Sequence, residues 1–92
     1  MESNIERKLV QGVKCLGGLC LKWTSPSFTG VPDRIVFMPK GKIYLVETKA
    51  DKGTLSHRQM AVMRQLAKLG TEVHIVRGDK GLQGFLEEID GR

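Results

Sequence analysis

Ninety-two residues amount to one domain, in which 40% of side chains are hydrophobic and 27% charged, so a thin but real core is expected and intrinsic disorder is not. Fifteen lysines and arginines against ten acids leave a net charge of +5, which favours a polyanionic partner such as nucleic acid or an anionic membrane surface. No apolar run approaches the ~20 residues needed to span a bilayer, and Met1 to Asn4 lacks the basic-then-apolar order of a signal peptide. A soluble, intracellular protein is expected. The two cysteines, Cys15 and Cys20, have neither zinc-type spacing nor a disulfide framework, and read as buried or half-buried thiols.

In chain order, Ser3 and Glu6 have the spacing of a capping box and start a first helix. Ile5, Leu9, Val13 and Leu16 recur at helical spacing, and Gly17-Gly18 ends the helix. Leu19 to Trp23 reads as a short strand. Thr24 to Pro32 is a loop rich in Ser, Thr, Pro and Gly. Arg34 to Met38 is a second strand, Pro39 to Lys42 a turn and Ile43 to Lys49 a third strand, so the second and third strands form an antiparallel hairpin. A polar loop from Asp51 leads to Ser56, a second N-cap candidate with Gln59 three residues on, and a helix to about Leu69 that stops at Gly70. Glu72 to Val76 is a fourth strand, and Leu82 to Ile89 a short final helix. The order αβββαβα is that of a mixed α/β domain with helices packed on a small sheet.

The hairpin carries the chemistry. Glu47 and Lys49 are two apart on a strand and project to the same face. Asp33 begins the neighbouring antiparallel strand and should lie beside the end of the third. Two carboxylates and an ammonium therefore meet at one end of one hairpin. Close carboxylates repel, and one resists ionising unless a cation is present. A hard divalent ion with oxygen ligands resolves this; magnesium uses one or two carboxylates and binds phosphate oxygens. Such an ion stabilises a phosphodiester under attack and lowers the pKa of a bound water. Lys49 is placed to orient or help deprotonate that water, or to hold a phosphate oxygen. The backbone carbonyl of Thr48 is available as a further ligand. The plain alternative is a turn-entry aspartate with a solvated Glu–Lys pair.

Glu6 stands apart from the hairpin. At 100° per residue, Ile5, Leu9, Val10, Val13 and Leu16 span an arc of about 140°, and Glu6 falls inside it. It either serves as the capping-box acid or reaches the metal site from the helix.

These residues make the chain resemble the PD-(D/E)XK nuclease superfamily, and more closely a stand-alone VRR-NUC domain of the kind found in phages and bacteria. Gly30-Val31-Pro32-Asp33, Glu47-Thr48-Lys49, Ser56-His57-Arg58-Gln59 and the helix residue Glu6 match that family's motifs in order. The resemblance covers essentially all of residues 1–92 as a single nuclease domain. It implies an αβββαβ core of restriction-endonuclease type with a short C-terminal helix, and phosphodiester hydrolysis dependent on Mg2+ or Mn2+. It implies metal binding by Asp33 and Glu47, catalysis by Lys49, assistance from Glu6 in placing metal or water, and support from Gln59, whose other reading is a cap partner of Ser56. It further implies structure-selective cleavage of DNA, with four-way (Holliday) junctions cut by a homodimer, since two symmetric cuts need two sites.

The second helix, with Met60, Met63, Leu66 and Ala67, is the expected dimer surface. Lys22 and Ser25 flank the site and, with Arg34, Lys52 and Arg58, are the expected DNA contacts. His57, Arg64 and Arg77 add to the basic surface. His74 reads as a half-core histidine, and Trp23 as core rather than a stacking platform. A helicase or replication partner would direct so small an enzyme. The competing class is a DNA-binding module that keeps this fold without cutting; flaps, nicks or duplex ends are the competing substrates.

Overall fold

The computed structural model describes residues 3–91. Its elements are α1 (Asn4–Cys15), β1 (Leu19–Lys22), β2 (Arg34–Met38), a 3-10 turn (Pro39–Gly41), β3 (Lys42–Lys49), α2 (His57–Lys68), β4 (Val73–Arg77) and α3 (Gly78–Ile89). The strands form one sheet in the order β1-β2-β3-β4. The first two pairings are antiparallel. β4 runs parallel to β3, because α2 intervenes between them and returns the chain to the starting end.

Side-chain alternation divides the sheet into two faces. Cys20, Val36, Met38, Val46 and Val76 point to the side of α1 and α3, where they form one core with Leu9, Val13, Leu82, Phe85 and Ile89. Leu19, Leu21, Phe37 and Ile43 point to the opposite side. There α2 buries Val62 but leaves these four exposed.

α1 and α2 each begin with a complete capping box, Ser3 with Glu6 and Ser56 with Gln59. The final helix is longer than expected. It starts at Gly78 rather than Leu82 and runs 12 residues, although Gly78, Gly81 and Gly84 weaken intrinsic helicity. Burial of Leu82, Phe85 and Ile89 overrides that propensity. Of the cysteines, Cys20 is buried as expected but Cys15 is exposed. His74 is half-buried against the Tyr44 and Phe85 rings. No described helix is long and apolar enough to cross a membrane.

One consequence of the topology positions the site. β2 starts, and β3 and β4 end, at the same edge of the molecule. α1 and α2 begin there too, since their first-turn residues line one cleft with the end of β3. α3 also begins there, directly after Arg77, which pairs with Lys49. The positive ends of three helix dipoles thus face one edge, where they favour anions.

Candidate active site

A cleft of about 450 Å³ opens at that edge, lined by Ser3, Asn4, Ile5, Glu6, Asp33, Glu47, Thr48, Lys49, Ala50 and Gln59. All five side chains expected to do chemistry are in this one place: Asp33, Glu47, Lys49, Glu6 and Gln59.

Asp33 is held by β3. Its Oδ2 accepts hydrogen bonds from the Thr48 amide at 2.9 Å and the Thr48 hydroxyl at 2.8 Å. Its own carbonyl accepts from the Trp23 amide at 2.9 Å, which ties it to the end of β1. The Thr48 carbonyl points to the same strand edge as the Thr48 amide, because both groups of one strand residue face one neighbour.

Glu47 is almost fully buried, at 3% exposure. Gln59 Nε2 donates to its Oε2 at 2.9 Å, and Lys49 Nζ lies 3.7 Å from the same oxygen. Gln59 also accepts from the Ser56 amide through its Oε1, at 2.9 Å. The two readings of Gln59 are therefore compatible: the amide caps α2 with one end and steadies Glu47 with the other.

Burial first and the nearby Asp33 charge second, against the opposing pull of Lys49, together raise the Glu47 pKa from 4.5 to about 7. The two carboxyls are near enough to share a proton. A buried carboxyl beside a second acid opposes its own ionisation.

Glu6 is engaged on both oxygens. Oε1 accepts from the Ser3 amide at 3.5 Å, and Oε2 pairs with Arg34 Nε at 3.0 Å. It lines the cleft, yet its carboxylate is turned to the cap and to Arg34. Arg34 itself, expected at the DNA, is 6% exposed. It sits on the inward register of β2 with Val36 and Met38, where its pair with Glu6 fastens α1 to the sheet.

The other expected DNA contacts differ among themselves. Lys22 and Lys52 are exposed. Arg58 is exposed too, but its Nε donates to the Thr29 carbonyl at 3.0 Å and its guanidinium lies 4.8 Å over the Phe28 ring, so it pins the β1–β2 loop to α2. Ser25 is half-buried and lines an apolar pocket with Trp23, Phe28 and Leu66.

Two roles escaped sequence reasoning. The Thr48 hydroxyl is one, although a polar residue continuing the inward row Tyr44, Val46 on β3 is a usable signal. The structural role of Arg34 was legible from the same alternation.

The donor set fits a small hard cation. Among the described residues no three His, Cys, Asp or Glu side chains gather as a metal cluster. Magnesium and manganese sites of this kind need only one or two carboxylates, with water and substrate oxygens completing the shell. Asp33 and Glu47 would supply the two carboxylates of such a site and the Thr48 carbonyl a neutral oxygen.

A mixed four-stranded sheet that brings an aspartate at one strand's start against Glu-x-Lys at the next strand's end defines a nuclease core of the PD-(D/E)XK type. Residues 3–80 match the VRR-NUC domain family, and the chain belongs to that family. It is 38% identical over 89 residues to "Putative nuclease p44" of Acyrthosiphon pisum secondary endosymbiont phage 1, covering 97% of this chain and 95% of that one. A solved structure described as a VRR_NUC domain superposes with a TM-score of 0.87 at 26% identity, over 96% of each chain. The protein is thus a small nuclease domain, and nucleic acid is its substrate class.

Proposed function

We propose that the protein is a structure-selective DNA endonuclease that uses Mg2+ or Mn2+ and resolves four-way junctions as a homodimer. The observation that carries the metal-dependent reading is the buried Glu47 carboxyl beside Asp33, with its pKa raised to about 7. Without a cation this arrangement opposes its own ionisation.

When bound, the ion supplies a water of lowered pKa and neutralises charge on the phosphodiester. Asp33 and Glu47 hold it. Gln59 keeps Glu47 in one orientation. Lys49, on the same strand face as Glu47, orients or helps deprotonate the attacking water, or holds a non-bridging phosphate oxygen. Water adds to phosphorus and gives up a proton to solvent, the P–O bond to one sugar breaks, and that oxygen takes a proton from water as it leaves. Glu6 assists indirectly, by holding Arg34 and α1 at the cleft. The helix N-termini at this edge and the exposed Lys22 and Lys52 favour the DNA backbone.

The dimer is supported by a surface other than the one first expected. On α2, Met60, Met63 and Leu66 are half-buried, so that helix spends most of its apolar face on its own core. The larger bare patch is on the same side of the sheet: Leu19 (55% exposed), Leu21, Phe37 and Ile43 (59% exposed), with Leu69 at the end of α2. Together these five leave several hundred Å² of apolar surface bare. That is at the upper end of what a monomer leaves bare and is a reasonable core for a two-fold interface.

Labelled four-way junction, flap, duplex and single-stranded DNA, incubated with Mn2+, Mg2+ or EDTA, test the activity. Paired symmetric cuts in the junction are expected, absent with EDTA and reduced ~10²–10⁴-fold in Lys49→Ala. Metal-dependent cutting of the other substrates alone would remove the junction preference. Failure of folded, metal-loaded protein to cut anything would leave the binding-module reading. Sedimentation tests the assembly: a dimer is expected for the native chain and a monomer for Phe37→Asp, whereas a monomeric native chain at micromolar concentration would remove the homodimer.

A further inference from the structure

We infer that the Thr48 side chain determines which divalent ions the site accepts, by forcing Asp33 to bind through a single oxygen. The inference rests on the metal-dependent reading above and adds a residue and a selectivity to it.

A carboxylate offers two oxygens with about two lone-pair sites each. Both sites of Asp33 Oδ2 are filled, one by the Thr48 amide at 2.9 Å and one by the Thr48 hydroxyl at 2.8 Å. That oxygen has nothing left for a metal, so Asp33 can ligate only through Oδ1. Thr48 is 8% exposed, and no water competes easily for its hydroxyl.

Coordination through one oxygen suits an octahedral ion with short bonds, which is the demand of magnesium and is met by manganese. Calcium takes six to eight oxygens at longer range and often uses a carboxylate bidentately. The amide bond to Oδ2 comes from the backbone and survives any substitution at position 48. The hydroxyl bond depends on the side chain. Valine has nearly the shape of threonine without the hydroxyl, so Thr48→Val should reopen one lone pair on Oδ2. Asp33 could then swing and chelate with both oxygens.

Thr48 is thus a positioning residue, acting on the ion through Asp33. Its effect on affinity should be of the size seen for outer-shell partners of metal ligands, ~10-fold or more. The effect should also have opposite weight for the two kinds of ion. Manganese binding loses a pre-oriented ligand, whereas calcium gains a bidentate one.

The experiment is calorimetric titration of Mn2+ and of Ca2+ into the metal-free native protein, Thr48→Val and Thr48→Ser, with thermal melts to confirm folding. The expected result is a Mn2+ affinity lowered ~10-fold in Thr48→Val, a Ca2+ affinity unchanged or raised, and a native-like ratio in Thr48→Ser, which keeps the hydroxyl. An equal loss for both ions, or no change for either, would overturn the assignment while leaving the metal site intact. A native protein that binds neither ion would overturn the metal-dependent reading itself.

Discussion

Glu47→Gln is expected to make the metal-free protein more stable at pH 8 while abolishing cleavage. In the folded chain Glu47 keeps its proton up to about pH 7, against an ordinary value of 4.5. Between those values the folded state binds more protons than the unfolded state, so stability falls as pH rises through this window and is lowest above it. A shift of this size corresponds to about 3 kcal/mol at 1.36 kcal/mol per unit. Glutamine has the same shape, can still accept from Gln59 and carries no charge to bury. It should recover about 2 kcal/mol above pH 7, or ~10 °C in melting temperature for a domain of this size. It cannot replace an anionic ligand, so cleavage should drop by more than ~10²-fold.

The same linkage predicts proton release. Metal binding at pH 6 should expel about one proton from Glu47, and at pH 8 much less than one. Calorimetry in two buffers of different ionisation enthalpy measures this. A melting temperature at pH 8 that Glu47→Gln leaves unchanged or lowers would show that the buried carboxylate carries no such strain.

Arg34→Ala is expected to be the most destabilising change in the cleft region. Arg34 is buried and pairs with Glu6 at 3.0 Å. Removing one partner of a buried pair leaves the other desolvated without its counter-charge, at a cost of ~3–5 kcal/mol. Small domains hold only ~5–15 kcal/mol in total, so urea denaturation should show a large loss of midpoint. Lys22→Ala and Lys52→Ala, at exposed positions, should leave the midpoint within ~0.5 kcal/mol. Each should instead weaken DNA binding and lower the salt slope by about one. An Arg34→Ala variant that behaves like the two lysine variants would restore Arg34 as a DNA contact and remove its role as a clamp.

The two arginines show where residue-by-residue reading of charge fails. Arg34 and Arg58 carry the same formal charge as Lys22 and Lys52, and composition cannot separate them. Alternation along β2 places Arg34 inward with Val36 and Met38. The Phe28 ring and Thr29 carbonyl that hold Arg58 come from a loop 29 residues away in sequence. Aperiodic loops carry no pattern from which such a contact can be read.

Gln59 shows the reverse. Capping Ser56 and supporting the site are alternatives in the sequence, yet one amide has an acceptor end for the Ser56 amide and a donor end for Glu47 and serves both. Glu6 has only acceptors, and so it needed a cation. The buried Arg34 is that cation.

What the sequence by itself determined was local and periodic. It contained the two capping boxes, the glycine stop at Gly17-Gly18, the hairpin of β2 and β3, and the meeting of Asp33 with Glu47 and Lys49 at one end of it. These follow from spacing, because strand alternation and a short turn fix which side chains are neighbours. What tertiary structure alone decided was which polar atoms are satisfied, and by whom. It put the Thr48 hydroxyl on Asp33, turned Glu6 to Arg34, extended α3 through its glycines, and left Leu19, Leu21, Phe37 and Ile43 bare. Alternation signals which side of the sheet Thr48 and Arg34 take, but their partners depend on how closely distant segments pack and on what water is thereby excluded.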